Sequence, residues 1–205
     1  MVTNALPHVQ KEVVFTLDLK DFFLSVNWAT VRATFRTLGF GEEAATLLTK
    51  LVVWESHLPQ GAATSTGIAN LAMLRVDMRL RALARQQGFA YTRYVDDLAL
   101  SGSRRLLKFR RLIIRIVEDE GFQVNPAKIR TMHSGMRQVV AGIVVNRKPN
   151  LSREQRDGIR RNLMKFILMP KRFRKNEAKI QGQLSWLSSV NTSLGKRLLK
   201  RFDDC

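Results

Sequence analysis

The chain has 205 residues, of which 45% are apolar, and a formal net charge of +18. This apolar content is sufficient for a packed core and excludes a disordered chain. The large basic excess indicates nucleic acid as the first choice of partner and an anionic membrane surface as the second. No apolar run reaches the length of a bilayer span, and the single cysteine, Cys205, cannot form an internal disulfide, so we expect a cytoplasmic protein.

Apolar spacing and turn residues predict a mixed α/β part followed by a helical, basic part. In chain order the predicted elements are a strand at 13–19, helices at 27–38 and 42–53, a loop at 57–67, one long helix at 68–87, strands at 89–95 and 98–101, a helix at 104–120, a strand at 138–146, and helices beginning near 152, 174 and 192. The composition changes after residue 146, and about half of the net positive charge lies in the last quarter of the chain. We therefore predict two domains, 1–148 and 149–205.

The stretch YTRYVDDLALS at residues 91–101 places Asp96 and Asp97 in a turn between two predicted strands, and Asp18 ends another strand. If these strands are neighbours, three carboxylates meet at one edge of a sheet. Like charges at such a distance raise one another's pKa, and a divalent cation such as Mg²⁺ removes that penalty. Two such ions activate a 3′-hydroxyl and stabilise a leaving pyrophosphate. Taken alone, however, a pair of aspartates is more often a solvated turn.

Further motifs stand around this pair in a fixed order. They are NALPH at 4–8, TLDLKDFF at 16–23, LPQGAATS at 58–65, YVDD at 94–97, GFQVNPAK at 121–128, VAG at 140–142 and LSWLSSVN at 184–191. In this order and spacing the chain resembles the bacterial retron-type reverse transcriptases. NALPH matches the NAxxH motif of that family in full, and VAG differs from its VTG triplet at one position.

The resemblance implies an α+β fold in which a polymerase palm at 1–148, a small antiparallel sheet with packed helices, precedes an α-helical thumb at 149–205. It implies that Asp18, Asp96 and Asp97 are catalytic and bind two Mg²⁺ ions, or Mn²⁺ as the alternative, with help from the Leu19 carbonyl. It also implies nucleotide-binding roles. Phe23 would be the steric gate against a ribose 2′-hydroxyl, Gln60 and Gly61 would lie under the incoming nucleotide, and Lys128 would help to protonate pyrophosphate.

The resemblance further implies RNA-directed DNA synthesis from dNTPs on a structured non-coding RNA that supplies template and primer, with an RNA–DNA hybrid as product and antiphage defence as context. Thumb residues Lys171, Arg172, Arg174 and Lys175 are the candidates for RNA phosphate contacts. The family carries a fingers region before NAxxH. We expect it to be missing here, which leaves three alternatives: a fragment, one half of a split enzyme whose fingers are a separate polypeptide, or a degraded copy. A separate fingers polypeptide or an effector protein is a candidate partner.

Three alternatives stay open. A reverse transcriptase of the group II intron or CRISPR-associated class is disfavoured by NALPH, and a two-metal nuclease is disfavoured by LPQG. A non-catalytic RNA-binding remnant is favoured by the expected lack of fingers. Several residues also have simpler structural interpretations. Phe22 and Trp186 are expected in the core, His8 is expected in a structural position, and Arg93 is expected to cover apolar surface while its head group stays in water.

Overall fold

The computed structural model describes residues 1–203, apart from the side chains of Pro170, Lys171 and Arg174. Residues 204 and 205, and with them Cys205, lie outside it. By packing, the chain divides into two compact units, Glu12–Met132 and a second unit formed by residues 1–11 and 133–205. This division comes before residue 148, where composition predicts a boundary, and it groups the first residues with the C-terminal part. The palm and thumb roles of 1–148 and 149–205 stay a prediction.

The secondary structure is a mixture of helices and short strands, as predicted. The α-helices are α1 (Val2–Ala5), α2 (Phe22–Ser25), α3 (Trp28–Thr37), α4 (Glu42–Val52), α5 (Ser65–Ala72), α6 (Leu74–Gln87), α7 (Arg110–Asp119), α8 (Arg153–Leu168), α9 (Pro170–Phe173), α10 (Glu177–Val190) and α11 (Thr192–Asp203). The strands are β1 (Val13–Asp18), β2 (Ala90–Tyr94), β3 (Asp97–Gly102), β4 (Arg130–His133), β5 (Val139–Val140) and β6 (Ile143–Val144). Short 3-10 helices cover Leu6–His8, Arg104–Phe109, Pro126–Lys128 and Arg174–Asn176.

The unit Glu12–Met132 is built around a four-stranded sheet in the order β2-β3-β1-β4. Strand β3 pairs antiparallel with both β1 and β2. In the inner strand β1 every residue except Thr16 is buried, as expected for a strand that is covered on both faces. The core around it draws on α3, α5, α6 and α7, with Val31, Ile68, Leu80 and Ile113 among its buried side chains.

The unit of residues 1–11 and 133–205 has its own core. Its buried side chains come from α8, α10 and α11 and include Leu163, Leu184 and Leu198. The rings of Phe166 and Phe202 pack 5.1 Å apart between centroids. A capping box at Ser152 and Gln155 begins α8, which accounts for the predicted helix start at 152. None of the helices within residues 1–203 is both long and apolar enough to cross a lipid bilayer.

Several predicted elements are confirmed and several need correction. Strand β1, helices α3 and α4, and the helix starts near 152 and 192 lie as predicted. The segment predicted as one long helix at 68–87 forms two helices, because the helical pattern is interrupted at Met73. The first of them, α5, also begins earlier than predicted, at Ser65. The segment 104–120 begins as a 3-10 helix, and the helix predicted near 174 begins at Glu177.

The predicted strand at 138–146 is a two-stranded hairpin of β5 and β6. Its two-residue turn holds Ala141 at φ +47° and Gly142 at φ +79°. Two consecutive positive φ values are the requirement of a type I′ turn, which matches the right-handed twist of paired strands. The glycine of the VAG motif therefore marks a turn and not the interior of a strand.

Candidate active site

Strand pairing brings the three predicted aspartates to one end of the sheet. In the β1–β3 register Asp18 stands opposite Asp97. The β2–β3 hairpin pairs Tyr94 with Asp97, which leaves Val95 and Asp96 as its two-residue turn. The Leu19 backbone N–H donates to the Asp96 carbonyl over 3.1 Å. The prediction that these strands are neighbours is confirmed.

An open cavity of about 390 Å³ lies at this end of the sheet. Its lining residues are Asp18, Leu19, Lys20, Asp21, Phe22, Phe23, Gln60, Asp96, Asn125 and Lys128. Six of the predicted site residues are thus brought together, and Asp97 and Gly61 stand beside them in the chain without lining the cavity.

The charges at the cavity are unevenly balanced. Partial burial, and then the negative charges of Asp96 and Asp18, raise the pKa of the Asp97 carboxyl, although the residue keeps an exposed face. The Lys128 ammonium forms an ion pair with Asp18 Oδ1 at 2.8 Å. The hydrogen bond to Asp18 and the charge of that carboxylate raise the pKa of Lys128. Lys128 is therefore the described cation that neutralises the buried Asp18.

The donor chemistry of this edge suits a hard divalent cation. Carboxylate and carbonyl oxygens are the ligands that Mg²⁺ prefers, and the negative charges of Asp96 and Asp18 add to partial burial in raising the pKa of Asp97. In the described part of the chain, no group of three or more His, Cys, Asp or Glu side chains is arranged to hold a metal ion. The assignment of Asp18, Asp96 and Asp97 as metal ligands stays a prediction.

The GFQVNPAK segment runs beside the end of β1. The Asn125 N–H donates to the Asp18 carbonyl over 2.8 Å, and the Lys20 N–H donates to the Gln123 carbonyl over 2.8 Å. The Asn125 side chain accepts from the Ala127 N–H and begins the 3-10 helix that ends at Lys128. These backbone contacts explain how a residue more than a hundred positions later reaches the Asp18 carboxylate.

The two phenylalanines of TLDLKDFF differ in exposure. Phe22 is buried, with its ring 5.5 Å from Phe23 and 5.9 Å from Phe122 between centroids, so its predicted core position is confirmed. Phe23 is half-buried and lines the cavity. Asp21 precedes both rings with a left-handed φ of +48°, which turns the chain sharply into the short helix α2. The steric-gate role of Phe23 stays a prediction.

The LPQG loop is held from both sides. The Leu58 N–H donates to the Val26 carbonyl over 3.2 Å, and the Ser65 hydroxyl donates to the Pro59 carbonyl over 2.6 Å. Gly61 has a φ of +88°, a conformation that glycine adopts without steric cost. The loop therefore presents Gln60 to the cavity on a fixed backbone.

The remaining predicted residues lie in the other unit. His8 is fully buried, and burial together with the charge of Lys11 lowers the pKa of its imidazole to about 4, so it is neutral at pH 7 and fits a structural position. Of the RNA-contact candidates, Arg172 and Lys175 are exposed. The side chains of Lys171 and Arg174 lie outside the described residues.

The structural expectations for Trp186 and Arg93 were wrong, and one residue was missed. Trp186 keeps 36% of its surface exposed and is not a core residue. The Arg93 side chain is only 9% exposed, and its guanidinium binds the buried Asp77 instead of water. Asp77 shares a helical face with the buried Met73, Leu80 and Ala84, so its carboxylate required a buried partner, and this spacing was the available signal.

Comparisons with known proteins agree with this geometry. Residues 2–190 match the family described as reverse transcriptase (RNA-dependent DNA polymerase). The chain is 38% identical over 219 residues to the retron Mx65 reverse transcriptase of Myxococcus xanthus, covering 97% of this chain and 51% of that protein. It is 40% identical over 176 residues to the retron Mx162 reverse transcriptase of the same organism, covering 71% and 36%. It is 30% identical over 203 residues to the retron Ec86 reverse transcriptase of Escherichia coli, covering 97% and 62%.

The chain spans about half the length of these curated relatives. Among solved structures, telomerase from Candida albicans in complex with a TWJ fragment of telomeric RNA superposes with a TM-score of 0.59 at 10% identity, covering 96% of this chain and 47% of that one. Apo telomerase from Candida tropicalis gives a TM-score of 0.55 at 12% identity, covering 74% and 38%. At these identities the likeness is one of fold, and it agrees with the predicted α+β polymerase class. The chain belongs to the reverse transcriptase (RNA-dependent DNA polymerase) family and is of the bacterial retron type.

Proposed function

We propose that the chain carries the active site of an RNA-directed DNA polymerase, which adds deoxynucleotides to the 3′-hydroxyl of a primer along an RNA template. The observation that carries this proposal is the gathering of Asp18, Asp96 and Asp97 at one end of the sheet, beside a cavity that Phe23 and Gln60 also line. A nuclease with the same carboxylates would have no use for the LPQG loop, which would lie under an incoming nucleotide.

In this proposal Asp18, Asp96 and Asp97, with the Leu19 carbonyl, would hold Mg²⁺ or Mn²⁺. When bound, the divalent cations would lower the pKa of the primer hydroxyl and neutralise charge on the leaving pyrophosphate. Partial burial, and then the charges of Asp96 and Asp18, raise the pKa of Asp97, and this supports the assignment because a cation at this edge would stabilise the ionised carboxylate.

The other cavity residues would orient the nucleotide. Phe23 stands in the lining next to the Asp18 strand end, where a bulky ring would exclude a ribose 2′-hydroxyl. Gln60 would contact the nucleotide from the LPQG loop. Lys128, whose ammonium forms an ion pair with Asp18 at the cavity, would donate a proton to pyrophosphate.

We further propose that the template is a structured non-coding RNA, as the retron type implies, and that the context is antiphage defence in the cytoplasm. Residues 149–205 would serve as the thumb, with Arg172 and Lys175 as exposed phosphate contacts. Because such contacts release counterions, RNA affinity should fall steeply between about 50 and 200 mM salt.

Primer extension tests the proposal directly. The purified chain would be given a primed RNA template, labelled dNTPs and Mg²⁺, beside Asp96→Asn, Asp97→Asn and the matched control Asp119→Asn, an exposed carboxylate that pairs with Arg79. We expect extension by wild type and control, and a loss of about 100-fold or more in the two site variants, which keep their shape but lose a charge. Equal extension by Asp96→Asn would refute the catalytic assignment.

RNA binding measured on the same proteins separates catalysis from folding. Asp96→Asn should bind the RNA as the wild type does. Binding by every variant with extension by none would instead identify an RNA-binding chain without turnover. A Phe23→Ala variant should gain ribonucleotide incorporation, and unchanged discrimination between dNTPs and rNTPs would remove Phe23 from the gate role.

A further inference from the structure

The turn that carries Asp96 has an unfavourable backbone. Val95 has a φ of +57°, a left-handed value that is rare for a β-branched side chain. Two-residue hairpin turns with a positive φ at their first central position normally place glycine, asparagine or aspartate there. A valine at this position must be held by contacts from outside the turn.

Two hydrogen bonds hold the turn from outside. Arg93 Nη1 donates to the Val95 carbonyl over 2.8 Å, and the Leu19 N–H donates to the Asp96 carbonyl over 3.1 Å. The second bond links the turn to the end of β1, immediately after Asp18. The first bond links it to a side chain whose own position is fixed elsewhere.

Arg93 is fixed by α5 and α6. Its Nε and Nη2 donate to the two carboxylate oxygens of Asp77 over 2.9 and 2.8 Å, and its Nη1 donates to Asn70 Oδ1 over 2.7 Å. Asp77 also accepts from the Tyr91 hydroxyl over 2.7 Å. Burial, and then the charge of Asp77, raise the pKa of Tyr91, so the hydroxyl remains a donor. Because all three nitrogens of the planar guanidinium are hydrogen-bonded, the group cannot turn away from the Val95 carbonyl.

We propose that Arg93 is a positioning residue, which transmits the fixed geometry of α5 and α6 to the Val95 carbonyl and thereby holds Asp96 at the cavity and Asp97 beside it. The claim that Arg93 holds the turn does not depend on the proposed function, whereas the consequence of that contact for nucleotide addition rests on it. Arg93 does not line the cavity, so it would act through the turn and not on the reacting atoms.

The decisive variant is Arg93→Lys. A lysine keeps the charge that Asp77 requires, but it has no planar fork with which to reach Asp77, Asn70 and the Val95 carbonyl together. Arg79→Lys is the matched control, because Arg79 likewise pairs with two carboxylates, those of Asp119 and Glu120, whereas these ion pairs do not involve the turn. Asn70→Ala is a milder second variant, since it leaves the ion pair intact and removes one acceptor of Nη1.

Amide hydrogen exchange of Leu19, followed by NMR, reads the turn without any reference to activity. We expect Arg93→Lys to accelerate exchange at Leu19 by about tenfold, Asn70→Ala to accelerate it less, and Arg79→Lys to leave it unchanged, while amides in the middle of β1 keep their wild-type rates. Unchanged exchange at Leu19 in Arg93→Lys would overturn the proposal. Equal acceleration along all of β1 would also overturn it, because it would indicate general destabilisation.

Primer extension then tests the consequence. In Arg93→Lys we expect kcat to fall by about tenfold while KM for the incoming nucleotide changes by less than about threefold. Faster exchange at Leu19 with an unchanged kcat would refute the positioning role. If the wild type itself fails to extend a primer, the proposed function fails, and the exchange result still decides whether Arg93 holds the turn.

Discussion

Substitution of Gly195 by alanine should destabilise the helical unit, because this glycine allows α10 and α11 to touch. A Cβ at Gly195 would lie 2.2 Å from the Ser188 Cα and 2.5 Å from the Ser188 nitrogen. Carbon atoms in contact are normally about 3.5 Å apart, so the helices would have to separate by roughly 1.3 Å. The obstructing atoms belong to backbone, and no side-chain rotation relieves the clash.

The magnitude follows from two opposing terms. Inserting a methyl group into a close-packed contact costs about 1–3 kcal/mol, and alanine's higher helix propensity returns roughly 1 kcal/mol. A rigid backbone contact belongs at the upper end of the first range, so we expect a net loss of about 1–2 kcal/mol. For a chain of this size each kcal/mol shifts Tm by roughly 2–4 °C.

Gly182→Ala is the matched control. Gly182 is an exposed residue in the middle of α10, and a Cβ there would meet nothing within 4 Å. The same substitution should therefore stabilise the protein by about 0.5–1 kcal/mol. Thermal and urea unfolding followed by circular dichroism measure both variants. Equal stabilities for Gly195→Ala and Gly182→Ala would refute the close approach of the two helices.

Three further predictions concern charge and strain. Because the folded pKa of Asp97 is raised above its unfolded value of 3.8, ionisation of this carboxyl lowers stability as pH rises through the folded pKa. Asp97→Asn should therefore raise Tm at pH 7 and lose that advantage near pH 3, and an equal gain at both pH values would contradict this. Lys128→Met should raise the pKa of Asp97 further, because the ammonium lowers it, and ¹³C NMR titration of the carboxyl measures the change. Lys108→Met is the control and should not change that pKa, because Lys108 does not line the cavity. Ala141→Gly should stabilise the β5–β6 hairpin by up to about 1 kcal/mol in urea unfolding, since alanine at φ +47° is strained; a loss of stability would contradict the turn geometry.

Local sequence signals were sufficient to predict much of the fold. Asn27 caps α3 by accepting from the Thr30 N–H, and asparagine is a residue type that typically begins a helix. The break at Met73 had no such signal, because neither glycine nor proline stands there and the apolar spacing continues across it. The hairpin at 138–146 did carry a signal, the glycine inside an apolar run, which favours a bend over a continuous strand.

The candidate site was likewise predictable only in part. The ends of three predicted strands and a set of spaced motifs were sufficient to bring Asp18, Asp96 and Asp97 together, because a strand's end fixes where its next residue lies. The ion pair of Lys128 with Asp18 was not predictable, since it depends on how the chain after α7 returns along β1 through backbone hydrogen bonds.

The support of the turn at Asp96 shows that a short motif does not by itself determine the geometry of a site. YVDD specifies the carboxylates, but Val95 at a positive φ is unfavourable and cannot specify the turn by itself. The compensation comes from Asp77, sixteen residues before Arg93, through a buried ion pair. Replacing one partner leaves an uncompensated charge, so Asp77→Ala should destabilise the unit more than loss of the turn contact alone would. In this chain the YVDD turn is therefore held through Arg93 by a carboxylate on the buried face of α6.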